Sequence, residues 1–478
     1  MIQKANPDIK IACILGDNLK GQPGFEECVS ANAYLGAKPI VEALKNTDAD
    51  IIITGRCVDS ALILAPLIHE YGWSMEDFDK LSQGSLAGHL LECGVQSTGG
   101  NLTDWKDYKD GWAFNGFPIA VCQKDGSFEI TKPEMSTGSV TFDSVAEQMV
   151  YEIGDPENYL LPDVSCDWSN VKITKIDDNR ISVNGAKGSI PPKDLKMSFT
   201  KEENFRLTAV TIMMGGEAIQ KSQASVNATI KRVETIFQQE FEKKLIYPIG
   251  GGWSSTGDYN SRNNDECAMW LAVEHSNKKM LHVLANELAS AGTGMAPGFT
   301  ALVGGRPKPS PVFKLDNRSF VSRDQVDIKM VSSVDDYKTE TKIDDTKTEL
   351  CSEIPRQAIR KAPENIQCPL KGEDLQIKDL AFCRSGDKGN HCNIGVIARK
   401  PEYLPFLDSL LTPEFIAKRF NHVFEDKENI VVEKFYLDGI HALNFVLKDS
   451  LGGGGIASLR PDPQGKAYGQ ILAHTKIE

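Results

Sequence analysis

The chain runs to 478 residues, 41% hydrophobic and 25% charged, an ordinary globular balance with length for about two to four domains. Its formal net charge is −13 and no basic block interrupts it, which argues against nucleic acid and anionic membrane as partners. No apolar run reaches the roughly eighteen residues of a membrane span, and the opening MIQKANPDIK resembles neither a signal peptide nor a transit peptide.

Eleven cysteines, an odd count with no CxxC pair, suggest neither a disulfide framework nor a zinc ribbon. Most are expected to be buried free thiols in a reducing compartment, the cytoplasm or the mitochondrial matrix.

Ile9 to Leu15 reads as a strand opening into the turn Gly16-Asp17-Asn18, and Pro39 to Lys45 as a helix with proline at its first position. Asp50 to Thr54 is the next strand, and Asp59 to Tyr71 the next helix, bent or cut at Pro66. This alternation predicts an α/β body, a mostly parallel sheet with flanking helices. Arg56 and Asp59 then stand at the C-terminal end of a strand, where open α/β sheets place ligands. An Arg–Asp pair that merely closes the turn is an equal alternative.

From Asp79 to Trp105 the apolar rhythm fades, which predicts a long ordered loop carrying a short helix around Leu86 to Leu91. There His89, Glu92 and Cys93 lie three and four apart and share a face, too weak a match for a metal set, so none is assigned. Gly99-Gly100-Asn101 with Asp104-Trp105 is a turn that either approaches a ligand or anchors the tryptophan.

Hairpins are predicted across Asp125-Gly126 and around Asn184-Gly185, with a capping box at Ser144 to Glu147 between them. Arg206 to Met214 reads as a strand running through Gly215-Gly216, a second candidate anion site, into a helix from Glu217 to Leu245. Gly250 to Trp253 and Gly292 to Gly294 read as turns, with more helix around Glu266 to Leu288. The charged stretch from Asp316 to Lys361 reads as a connector with a strand at Val326 to Val331.

The last part, from Leu375, reads as an α+β layer. Its loop Arg384 to Asn390 (Arg384, Ser385, Gly386, Asp387, Lys388, Gly389, Asn390) can form an anion-binding nest, or can be a turn closed by an Arg384–Asp387 pair.

Several of these stretches together resemble the acyclic terpene utilisation (AtuA) family. They are Ala31-Asn-Ala-Tyr-Leu-Gly36, Thr54-Gly-Arg-Cys-Val-Asp59, Gly88-His-Leu-Leu-Glu-Cys93, Thr98-Gly-Gly-Asn-Leu-Thr-Asp-Trp105 and Tyr151-Glu-Ile-Gly-Asp-Pro156. Arg384 to Gly389, Leu459-Arg460 and Gln464-Gly-Lys466 extend the match. The resemblance implies an α/β body over 1–365, connector included, and a ferredoxin-like domain over 375–478. It departs at the start, where members carry an earlier glycine-rich strand and an Asp-Tyr-Leu-Ala-Glu motif; an exposed sheet edge and missing site residues are expected from that.

The resemblance also implies action on a CoA thioester of a branched isoprenoid acid, of lyase or hydratase type, with CoA as part of the substrate and no separate cofactor. Asp59, His89, Glu92 and Asp104 are the acid/base candidates. Arg56 is expected to grip a carboxylate, and Asn32, Gly99, Gly100, Asn101 and residues 384–390 to contact substrate. A homo-oligomer is expected. The competing reading is a non-catalytic partner of a biotin-dependent acyl-CoA carboxylase, or a degenerate family member that has lost activity.

Overall fold

The computed structural model of the protein describes residues 6, 8–250, 265–316, 319–333, 337–345, 350–351, 357–364 and 366–477. The expected turn over 251–253 and parts of the charged connector lie outside the described residues.

Strand β1 (Ile11–Leu15) is followed by β2 (Ser30–Ala33), helix α1 (Lys38–Asn46), β3 (Ile51–Thr54) and α2 (Ala61–Tyr71). β1 and β3 pair in parallel, as the strand–helix alternation predicts. Pro66 lies inside α2 without cutting it, and Gly72, at φ 64°, ends the helix in the left-handed conformation glycine adopts readily.

Helix α3 (Phe78–Glu92) is fifteen residues long, not the short helix expected inside a loop. Its residues 81–90 are all buried, so no polar stripe gives it a helical rhythm in the sequence. Gly84 and Gly88 allow that fit: a Cβ on Gly88 would stand 2.7 Å from the Ser60 Cα, and one on Gly84 2.9 Å from Leu64.

Strands β4 (Ile119–Cys122) and β5 (Phe128–Thr131) form the predicted hairpin. Helix α4 (Phe142–Met149) starts three residues ahead of the expected cap, on a capping box of Thr141 and Ser144. Then come β6 (Tyr159–Leu160), β7 (Ser165–Asp167), β8 (Lys172–Asp177), β9 (Arg180–Asn184) and β10 (Lys187–Ser189). The β8–β9 turn falls at Asp178-Asn179, where Asn179 takes φ 57°; Asn184-Gly185 instead leads out to β10, which pairs with β7.

Strand β11 (Asp194–Met214) collects β2, β13, β14, β15 and β16 along its length, all antiparallel. After it come α5 (Ala218–Phe237), β12 (Lys243–Ile249), β13 (Glu266–His275), α6 (Lys278–Gly294), β14 (Phe299–Leu302), β15 (Ser310–Asp316) and β16 (Phe320–Ser322). The end of β11 with α5, β12, β13, α6 and β14 makes a βαββαβ unit with strand order β12-β13-β11-β14. Glu266 to His275 is therefore strand where helix was expected: Cys267, Met269, Leu271 and Val273 alternate into the core under the two helices. The connector contributes β17 (Lys329–Ser332) and β18 (Thr341–Lys342), and β17 pairs with β1 in the first sheet, whose order is β18-β17-β1-β3.

These pairings correct the expectation of a mostly parallel sheet. β1 with β3 is the one parallel pair among the named strands of the described residues, and the other pairs are antiparallel. The crossover pattern of residues 9–71 does not extend down the chain, because the later glycine-bearing stretches turn as hairpins and β11 recruits its neighbours antiparallel.

The C-terminal unit runs β19 (Ala381–Lys388), β20 (His391–Ala398), α7 (Leu404–Leu410), α8 (Pro413–Arg419), β21 (Val432–Leu437), β22 (Ala442–Leu447) and α9 (Tyr468–Ala473). Its order β19-β20-β22-β21 is the ferredoxin-like sheet with the chain starting at a different strand. One face packs on its own helices through Cys383, Ile394, Val396, Phe420 and Leu472. The other face joins the core of the body through Phe382, Ile397 and Ala442.

That second face is cut for contact. A Cβ on Gly395 would sit 2.2 Å from Val150, and one on Gly386 2.5 Å from Tyr151. Between them Asn393 donates to Val150 O at 2.7 Å and accepts from Glu152 N at 2.9 Å. Asn444 donates to Gly154 O at 2.7 Å and to Ile153 O at 3.2 Å, and accepts from Asn393 at 2.9 Å. Asn393→Ala strands a buried carbonyl and a buried N–H, and should lower stability by about 2 kcal/mol in urea denaturation; an unchanged midpoint would show that this junction carries no stability.

Candidate functional site

The body meets the C-terminal unit around a cavity of about 130 Å³ whose lining includes Tyr34, Asp59, His89, Glu92, Glu152, Tyr159, Lys196 and Lys388. Six separate segments of the body and one strand of the C-terminal unit supply these side chains. Tyr34 follows β2, Asp59 lies in the turn between β3 and α2, and His89 and Glu92 end α3. Glu152 follows α4, Tyr159 opens β6, Lys196 starts β11, and Lys388 ends β19.

The body side is knitted by the buried Asp17, just beyond β1. Its carboxylate accepts from Asn32 Nδ2 and from Arg56 N, both at 2.8 Å, and its carbonyl accepts from Ala33 N. Gly55 is required there, because a Cβ would stand 1.9 Å from the carboxylate. Asp17 thus fixes the turn that presents Asp59, and Arg56 lies over the Tyr34 ring at 5.4 Å. Burial first, then the negative charge of Glu92, push the Asp59 carboxyl above its usual range, while Arg56 and Lys388 pull it back.

His89 Nδ1 lies 3.0 Å from Glu92 Oε1, and its Nε2 lies 3.2 Å from Met149 O. Both ring nitrogens are committed, and the ring is 2% exposed against Trp168 at 5.3 Å. His89 therefore orients Glu92, and Glu92 faces the cavity. Glu152 has φ 56°, a left-handed backbone that a non-glycine residue adopts only when its surroundings hold it there. Burial opposes its charge, but Lys466 at 2.8 Å, with Tyr151 and Lys388, outweighs that and keeps it ionised.

Two lysines face these carboxylates. Lys388 Nζ donates to Tyr159 OH at 3.3 Å; burial works against its charge, but Tyr159, Glu152 and Glu92 more than compensate and raise its pKa. Lys196 differs: among the described residues its Nζ has no hydrogen-bond or ion-pair partner and stands 5.4 Å from the Tyr34 ring centroid. Burial, aided by the charge of Lys388, lowers its pKa to about 8.

A family model described as acyclic terpene utilisation family protein AtuA matches residues 1–332, and the AtuA ferredoxin-like domain matches 375–478. The chain belongs to the acyclic terpene utilisation family. No curated protein matches it, and no solved structure does.

In this AtuA-family chain the predicted site residues divide. Asp59, His89, Glu92 and Lys388 line the cavity, with Arg56 at its edge on Tyr34. Asn32 lies behind it on Asp17. Asp104 does not line it: its two carboxylate oxygens take Arg399, just beyond β20, at 2.6 and 2.7 Å, joining the two units. Gly100 and Asn101 line a different, open groove with Trp105, Trp112 and Phe117, and Gly99, at φ 111°, turns against Tyr108.

Residues 384–388 are strand, with only Gly389 and Asn390 in the turn. Arg384 points into the body, stacked on Tyr151 at 4.8 Å and bonded to the Asn101 carbonyl. Ser385 faces the other way, bonding Gly465 O at 2.6 Å and Gly469 N at 2.7 Å. Asp387 meets Gln464 at 3.1 Å, and Asn390 ties the turn to Asp449 and Gly453. Alternation along one strand explains the split: 384, 386 and 388 face the body, 385 and 387 the segment 464–469 that leads into α9. At the other candidate anion site, Gly215 N is taken by Asp265 O at 2.6 Å.

Sequence reasoning missed Glu152, Tyr159, Lys196 and the orienting Asp17 as site residues. Glu152 was within reach, in the stretch Tyr151-Glu-Ile-Gly-Asp-Pro156; Lys196 carried no signal beyond alternation with the buried Leu195 and Met197. Among the described residues no cluster of three His, Cys, Asp or Glu is placed to hold a metal, and no helix is long and apolar enough to cross a membrane.

His89→Ala removes a ring packed on Trp168 and should cost on the order of 3 kcal/mol of stability by urea denaturation; a loss near zero would contradict its orienting role. Glu147, buried under Arg384 and accepting from Thr103 N, is raised by burial from 4.5 to about 8, against the pull of Arg384. A raised carboxyl binds its proton more tightly when folded, so its contribution to stability is full below pH 4.5 and lost as pH rises to about 8. Glu147→Gln should flatten the fall in melting temperature across that window; an unchanged slope would place the titration elsewhere.

Proposed function

We propose that this AtuA-family chain is an enzyme of acyclic terpene breakdown that works by acid–base chemistry on a branched, carboxylated acyl-CoA thioester, of lyase or hydratase type. The observation that carries the reading is the convergence of Asp59, Glu92 and Glu152 with Lys196 and Lys388 on one cavity. Either reaction needs a base at an acidified carbon or a water, an acid for the departing or receiving oxygen, and donors toward the thioester oxygen. Asp59, with its raised pKa, and Glu92, oriented by His89, supply the exchangeable proton. Lys388 takes the negative charge of the carboxylate.

Lys388 also lines a second cavity of about 830 Å³, where Ile153, Val432, Phe435 and Val446 offer an apolar wall. A volume of this order suits a ligand of some tens of atoms. A molecule whose charged end meets Lys388 has its branched chain beside this wall.

The test is turnover and binding of branched acyl-CoA thioesters by the folded variants. Asp59→Asn and Glu92→Gln should keep the melting curve and lose turnover, and rates equal to wild type would remove both from the reaction. Lys388→Ala should weaken binding by on the order of 2 kcal/mol in titration calorimetry. Unchanged affinity would take the ligand away from this cavity.

A second reading, a non-catalytic partner of a biotin-dependent acyl-CoA carboxylase, is favoured by the exposed groove of Trp105, Trp112 and Phe117. Exposed aromatic surface of this kind is what protein partners cover. Co-purification with such a carboxylase, lost in Trp112→Ala, together with no turnover of any acyl-CoA, would select it.

A further inference from the structure

Lys196 is out of place among its neighbours. Three of the other cations at the junction are held by oxygen: Lys466 holds Glu152 at 2.8 Å, Arg399 holds Asp104, and Lys388 donates to Tyr159. Lys196 reaches the same cavity from the first residues of β11 with no acceptor among the described residues, beside an aromatic ring and a second lysine. Its backbone is pinned, since its carbonyl accepts from Tyr34 N at 2.8 Å and Met197 next to it pairs with Ala33. A fixed lysine in a cleft, free of acceptors and next to like charge, is the arrangement that makes an amine a nucleophile instead of an ion-pair member.

We propose that Lys196 is an imine-forming lysine, whose Nζ condenses with the carbonyl carbon of a keto acid or aldehyde acid that rests its carboxylate against Lys388. The proposal rests on the reading of this cavity as the site of a carboxylated ligand, and adds that this ligand carries a ketone or aldehyde carbonyl besides any thioester. The Nζ lone pair forms the C–N bond while the carbonyl π pair moves to oxygen, which takes a proton from Asp59 or Glu92. The nitrogen then returns a proton to a carboxylate. The hydroxyl, protonated by the same acid, leaves as water as the C=N bond forms. One water is released and nothing is oxidised or reduced. The protonated imine then draws electrons from the adjacent carbon, which eases cleavage of a C–H or C–C bond there.

A lysine at about 8 holds roughly a hundredfold more free amine at pH 8 than a solvent lysine does. The experiment is reductive trapping of the full chain at pH 8 with 4-oxopentanoate and cyanoborohydride, which reduces the imine to a stable secondary amine, followed by peptide mapping. The expected result is one dominant adduct on the peptide bearing Lys196, at least about tenfold faster than at any other lysine. It should rise through about pH 8 and be absent in Lys196→Arg.

Lys388→Ala should slow trapping of 4-oxopentanoate severalfold more than trapping of acetone, which has no carboxylate; the part shared by both ketones reflects the Lys388 charge that helps keep the Lys196 amine neutral. Adducts spread over surface lysines in the wild type would overturn the proposal, whether or not the variants fold. So would equal slowing by Lys388→Ala with both ketones. Trapping requires no turnover, so its failure is separate from failure of the acid–base reading, which the Asp59 and Glu92 variants decide on acyl-CoA substrates.

Discussion

The amide side chains of Asn393 and Asn444, both without solvent exposure, take up four main-chain groups of residues 150–154: the carbonyls of Val150, Ile153 and Gly154 and the N–H of Glu152. Main-chain polar groups buried without partners would each cost about 1–3 kcal/mol, so the two asparagines decide whether this segment can be buried at all. Gly386 and Gly395 on either side leave room for its approach. The same grip holds Glu152 in its left-handed conformation and sets the end of β19 opposite the body. The cavity follows from the seam.

The electrostatics of the seam are graded by partner. Arg399 with Asp104 is a closed pair across the seam, and Lys434 with Asp408 is closed within the C-terminal unit. Glu147 beneath Arg384 is a buried acid whose burial outweighs the nearby guanidinium. At the cavity itself the balance is incomplete: Asp59 is raised by burial and by Glu92, and Lys196 is lowered by burial and by Lys388. Opposed shifts within one cavity bring the proton affinities of its acid and its amine closer together than they are in water.

Much of the local structure was legible in the sequence. The Ile9 to Leu15 strand, the hairpin at Asp125-Gly126 and the stripe of the helix beginning near Glu217 follow from short-range chemistry that a linear reading sees. The mostly antiparallel topology was not: the strand–helix alternation over residues 9–71 points to a parallel sheet, whereas β11 takes its antiparallel partners from far along the chain. Helix α3 was hidden because burial on every side erases the periodicity that announces a helix. The same limit applies to the site. Asp59, His89 and Glu92 stand out beside glycine-bearing motifs, and Lys388 within a conspicuous charged run. Lys196 belongs to a strand of ordinary composition, and only its alignment with Tyr34 on β2's side of the sheet makes it a member.

Lys388 and Lys466 belong to the C-terminal unit, while Asp59, Glu92 and Glu152 belong to the body. The ferredoxin-like unit is therefore a built-in counterion as well as a wall. With that unit absent, residues 1–365 would hold three carboxylates around one hollow, with Arg56 and Lys196 as the nearby cations. Like charges at that spacing are relieved by taking up protons, so the detached body would behave as a stronger proton sponge than the intact chain. The charge balance of the cavity is thus a property of the joined protein, with carboxylates from one unit and counterions from the other.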